Sequence, residues 1–306
     1  MKKIISYLLL MLSITNCSQK VTEKEKNKTM TSNNNYTLIY NFPFNGEILI
    51  NDVVLDKHLY DNLTGTEFIN MYILKNGTQK IKIKLYSPQL EKGKLINEYE
   101  LKKSNEEFAL YNTILDNGEI SNLQLLQKLN FPNINNPLPV IEHEWSFNAE
   151  LPFELKGWKN AENLNNWDKD KLEKAVVLKY KQLQELLNIG NTNLFLKELE
   201  FANNEYFISN YYNEQKKKAY LSNLIEDFSL LTGKVPILKD YNMRIMGDGK
   251  VVVLESLGKY KGLGILTTED TINKKLYPIY IMLYKPLDST EFKIVRFFSY
   301  KVDMIR

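Results

Sequence analysis

From Tyr36 to about Phe153, apolar and polar positions alternate with a period of two. Ile81, Ile83 and Leu85 stand between Lys80, Lys82 and Lys84, which predicts a strand with one apolar face and lysines in water. Phe68, Met71, Tyr72, Ile73 and Leu74 precede Asn76-Gly77, a dipeptide that tolerates the two positive-φ positions of a tight hairpin turn, so these two runs are expected to pair. Further short strands are expected near 36–42, 46–50, 96–101, 107–114 and 119–126, punctuated by Gly46 and Asp116-Asn117-Gly118. Three prolines in 130–141 mark a connection. After it, His143, Trp145, Phe147, Ala149 and Leu151 share one face of a strand, and Glu142, Glu144, Ser146, Asn148 and Glu150 share the other.

Beyond Trp158 the period changes to that of a helix. Asp168 is a suitable N-cap for Leu172, Ala175, Val176, Leu183, Leu186 and Leu187, and Gly190 ends that run. A second helix is expected over 194–202, capped by Thr192 or Asn193. A third carries the stripe Tyr220, Leu221, Leu224, Ile225, Phe228 and Leu231 up to Gly233. Strands are expected at 241–246, 250–257, 262–267, 276–284 and 292–300, with a tight turn at Gly247-Asp248-Gly249. The order predicts two domains. An all-β sandwich would occupy 36–155, with an immunoglobulin-like arrangement as one form, and an α+β domain would occupy 156–306, helices first and an antiparallel sheet after.

The chain begins MKKIISYLLLMLSITNC. Lys2 and Lys3 give a positive start, residues 4–12 form an apolar stretch too short to span a bilayer, and Cys17 follows at once. Cys17 is the only cysteine, so no disulfide can form within the chain. Over its first twenty or so residues the chain resembles a bacterial lipoprotein signal peptide. The resemblance implies removal of 1–16, a lipid on Cys17, and a body exported to the cell envelope and tethered to a membrane. Residues 17–35 hold almost no large apolar side chain and are expected to be a flexible tether.

Composition changes the picture mainly by exclusion. With 43% apolar and 25% charged residues, the body can build a core and is not a disordered chain. Forty basic and 37 acidic residues leave a charge of +3, and only Arg244, Arg296 and Arg306 are arginines. That is no footprint for DNA or RNA, which are gripped by basic faces rich in arginine. The only histidines are His58 and His143, so residues 156–306 cannot supply a Ser-His-Asp or Cys-His site by themselves. His143-Glu144-Trp145-Ser146-Phe147 lacks the second histidine of a zinc-protease helix, and Gly258 to Gly264 lacks the Lys-Ser/Thr ending of a phosphate loop. No cofactor or metal is expected.

What remains is a tryptophan-rich segment near the expected junction. Trp145, Trp158 and Trp167 are candidates to stack on a sugar or to anchor a partner protein. Glu142 and Glu144 lie on one strand face, roughly 7 Å apart, and are candidate partners for such a ligand. The expected function is that of a lipid-anchored, non-catalytic envelope protein that binds another protein, an immunity-type protein being one form. The alternative is a carbohydrate-binding or carbohydrate-processing lipoprotein that uses the junction tryptophans.

Overall fold

Residues 34–59, 62–88, 92–116 and 119–304 are described by the computed structural model. The lipidation candidate Cys17, residues 1–16 and most of the expected tether lie outside the described residues. The described residues all belong to one compact unit, Asn33–Arg306. Every strand pairing among them is antiparallel, and they contain five α-helices and four sheets.

Two four-stranded sheets come from the N-terminal half. In the first, β1 (Asn35–Phe42), β4 (Leu63–Phe68), β6 (Ala109–Asp116) and β7 (Glu119–Lys128) lie in the order β4-β1-β6-β7. In the second, β2 (Asn45–Ile50), β3 (Val53–His58), β5 (Gly77–Tyr86) and β8 (Val140–Ala149) lie in the order β3-β2-β5-β8. The alternation expected of β5 and β8 is present. Ile81, Ile83 and Leu85 are buried, while Lys80, Lys82 and Lys84 reach Glu144 and Glu142 on the outer face.

The C-terminal half supplies α2 (Lys169–Asn188), α3 (Thr192–Glu198), α4 (Glu200–Ser209) and α5 (Glu214–Ser229). After them, β9 (Tyr241–Met246), β10 (Val251–Ser256), β13 (Ile279–Tyr284) and β14 (Lys293–Ser299) form a sheet in the order β14-β13-β10-β9. A small sheet of β11 (Thr268–Asp270), β12 (Lys275–Tyr277) and β15 (Val302–Asp303) completes the list.

In the sheet of β9, β10, β13 and β14, the central strands β10 and β13 are buried on both faces, which is why they read as nearly unbroken apolar runs. Val251, Val253, Tyr280 and Met282 point into one hydrophobic cluster with Leu38, Phe42, Ile48 and Ile83 of the two N-terminal sheets. Val252, Leu254, Ile281 and Leu283 point into a second cluster with Leu172, Val176, Leu183 and Phe228 of the helices. The segments expected as separate domains therefore share the first cluster.

Several expectations are corrected. Residues 96–101 begin a helix, α1 (Glu98–Ser104), because Asn97 and Glu100 close a reciprocal capping box. Asn76-Gly77 does not join two paired strands. Residues 68–74 end β4 and make a 3₁₀ turn at Asn70–Tyr72, and β5 pairs with β2 and β8 instead. The expected strand at 276–284 is divided at Pro278, which has no N–H to donate to a ladder. Residues 262–267 make turns and one bridge rather than a strand. β2 and β3 have no wet face, since both are buried almost throughout. The turn at 247–249 is as expected, with φ of 59°, 54° and 85° at Gly247, Asp248 and Gly249.

Candidate functional site

The three tryptophans do not form one platform. Trp145 is half-buried on β8, edge-on to Phe108 and Phe131 at 5.1 Å, and its indole N–H donates to the Asn130 carbonyl at 3.1 Å. Trp158 is buried in the first cluster, with the Arg296 guanidinium 5.4 Å from its ring. Trp167 packs on the second cluster, beside Phe292, and donates to Glu162 at 2.9 Å. Glu142 and Glu144 are on the outer face of β8, where Lys82 and Lys80 hold them at 2.6 and 2.9 Å. The hydrogen bond from Lys82 is the main reason that the Glu142 carboxyl titrates below its usual range. These acids are paired surface groups.

Two sets of buried charges tie the elements together. Arg244 on β9 grips Glu47 on β2 through two hydrogen bonds, at 2.7 and 3.1 Å. Lys57 on β3 reaches Glu255 on β10 at 2.6 Å, and the Tyr280 hydroxyl donates to the same carboxylate oxygen at 2.6 Å. The two cations and two anions balance. Burial alone would raise the Glu47 carboxyl, but Arg244 and Lys57 outweigh it and hold it below its usual value. In the second set Arg296, with no exposed surface, pairs with Glu205 at 2.8 Å and donates to the Met71 carbonyl, while Gly157 N–H donates to Glu205 at 2.8 Å. Both sets are internally matched and need no ligand to be satisfied.

One acid differs. Glu67, half-buried near the end of the edge strand β4, lines a cavity of about 390 Å³. Phe68, Tyr72, Phe297 and Phe298 contribute to its wall, with Tyr206 from α4 and Tyr220 and Asp227 from α5. Tyr206 and Tyr220 are stacked at 5.0 Å, and the Tyr206 and Tyr212 hydroxyls are 3.4 Å apart. Burial, and next the charge of Asp56, push the Glu67 carboxyl up to about 7, against a smaller opposing effect of His58. Asp56 itself accepts from Tyr40 and lies 3.2 Å from His58, so it has its own partners. A carboxyl poised near neutrality can exchange a proton or pair with a cation. Glu67 was not singled out by sequence because Leu63-Thr-Gly-Thr-Glu-Phe68 carries no motif. The run of Tyr206, Phe207, Tyr211, Tyr212 and Tyr220 was the available signal.

A third feature is a bare sheet edge. Among the described residues, β7 pairs only with β6 and stands at the end of its sheet. Ile114, Ile120, Leu123, Leu125 and Leu126 in this hairpin are 43–50% exposed.

Among the described residues, no group of three or more His, Cys, Asp or Glu side chains is placed to hold a metal ion. No helix among them is long and apolar enough to cross a membrane. No protein-family model, curated protein or solved structure matches the chain.

Proposed function

We propose that this chain is a lipid-anchored, non-catalytic protein of the bacterial cell envelope that binds another protein, the lipid being carried by Cys17 and the body displayed beyond the tether of 17–35. Its two N-terminal sheets are read as the halves of a β-sandwich, supported by the side chains both deliver to one cluster. An immunity-type protein remains one form of this function.

The observation that carries the binding reading is the edge of β7. Natural edge strands are usually guarded by charge, proline or a covering element, because their free N–H and C=O groups invite another strand. From Ile120 to Gln127 the sequence ISNLQLLQ has no charged residue and no proline. An extended segment of a partner protein with alternating apolar side chains would add to this edge and cover Leu123 and Leu125.

A photoreactive residue at position 125 in the full chain, expressed in its native envelope, is expected to crosslink one partner. The same residue at position 178, an exposed leucine on α2, is expected to give none. Leu123→Lys/Leu125→Lys should abolish capture of that partner without changing the melting temperature. Unchanged capture by this variant would remove β7 from the binding surface. Cys17→Ser should leave the membrane fraction, and its retention there would refute the lipid anchor.

A further inference from the structure

The Glu67 cavity calls for a ligand of a definite sign. Its volume of about 390 Å³ lies within the roughly 300–1,000 Å³ range of small-molecule sites. Glu67 and Asp227 are its only acidic or basic lining residues, with no Lys, Arg or His beside them. Half of the remaining lining residues are aromatic, Tyr206, Tyr220 and Phe298 among them. With Glu67 ionised, this lining sets negative charge beside polarisable π-systems, the combination that attracts an organic cation.

The decisive contrast is with the other buried acids. Glu47 and Glu255 each contact Arg244 and Lys57, and Glu205 contacts Arg296. Among the described residues, Glu67 has no hydrogen bond or ion pair to its carboxylate, and only burial and more distant charges act on it. An acid left this way costs folding free energy unless something supplies the missing charge. A neutral ligand would fill the space and leave the carboxylate unpaired. An anion would meet two acids.

We propose that this cavity binds an organic cation, a protonated amine or quaternary ammonium with an apolar body, whose charge pairs with Glu67 and whose body packs among the aromatic side chains. This site is separate from the β7 edge and does not depend on the protein-binding reading.

The test is isothermal titration calorimetry of the full chain in non-ionic detergent at mildly alkaline pH. The probe is benzyltrimethylammonium, with benzyl alcohol as the neutral control and benzenesulfonate as the anionic one. The cation should bind saturably at one site, at least about tenfold more tightly than benzyl alcohol, and benzenesulfonate should not bind. Glu67→Gln should weaken the cation roughly tenfold or more while leaving benzyl alcohol unchanged. Asp227→Asn, at an exposed position of α5, should weaken it by a smaller factor. Equal binding of cation and neutral analogue, no saturable binding, or full affinity in both variants would each overturn the proposal. All of these measurements leave crosslinking at position 125 unaffected, so the two proposals fail separately.

Discussion

Arg296→Met is the sharpest test of how the body is held together. Arg296 has no exposed surface. Its guanidinium pairs with Glu205 at 2.8 Å, donates to the Met71 carbonyl at 3.0 Å through Nε, and lies 5.4 Å from the Trp158 ring. It thereby joins β14, α4 and the 3₁₀ turn beside β4. Methionine fills similar space but leaves Glu205, whose side chain is 5% exposed, as an unpaired buried charge. Removing one partner of such a pair costs about 3–5 kcal/mol, a large part of a typical total of roughly 5–15 kcal/mol. Glu205→Met strands the arginine and should cost a similar amount. The double variant strands neither charge. It removes the side-chain partners of the Met71 and Val295 carbonyls and of the Gly157 N–H, at about 1–3 kcal/mol for each group left unpaired. Urea unfolding of the three variants, with the slope checked for constancy, completes a double-mutant cycle. The double variant should be several kcal/mol more stable than the sum of the singles implies. Additivity to within about 0.5 kcal/mol would refute the assignment of Arg296 and Glu205 as a coupled pair.

Three further outcomes follow from single residues. Gly65 lies opposite Tyr40, and a Cβ there would sit 2.4 Å from the tyrosine hydroxyl, so Gly65→Ala should cost about 1–3 kcal/mol in a urea melt. The Glu67 carboxyl titrates near 7 when folded and near its ordinary 4.5 when unfolded, so the folded chain holds the extra proton between these values. Stability should therefore fall as pH rises through that window, and urea midpoints taken across it should show a shallower fall in Glu67→Gln. Glu142→Gln and Glu144→Gln remove exposed pairs with lysines and should each change stability by about 1 kcal/mol or less, measured in the same way.

Much of the architecture was legible where local chemistry decides it. The spacing from Leu172 to Leu187 and the cap at Asp168 define α2, and Asp168 Oδ1 accepts from Lys171 N–H as an N-cap should. The alternation of Ile81, Ile83 and Leu85 with lysines defines β5. The helix at α1 was hidden because its capping box begins at Asn97, inside a segment whose apolar residues also suit a strand. β3 and β4 were missed because Asp56, Lys57 and Glu67 break the apolar pattern, yet Asp56 is buried against Tyr40 of β1 and Lys57 against a partner far along the chain. Lys57 meets Glu255, 198 residues away. No local window contains that pairing. The same distance hides the cavity, whose wall joins residue 67 to residues near 206, 220 and 297.

A body selected for stability alone would lack the two features on which the proposed sites rest. An unpaired, half-buried carboxylate weakens the folded state at neutral pH, whereas the other buried acids of the core have cations or hydroxyls beside them. A sheet edge with Leu123 and Leu125 in water invites aggregation, whereas the outer face of β5 and β8 is covered with matched lysines and glutamates. The contrast lies within one molecule, so composition cannot account for it: the lysine–glutamate pairs that neutralise the outer face of β5 and β8 have no counterpart along residues 120–127 of β7 or at Glu67. Each exception has a simple physical cure, a glutamine at 67 or a charge on β7. That neither cure is present points to contacts that the isolated chain does not supply.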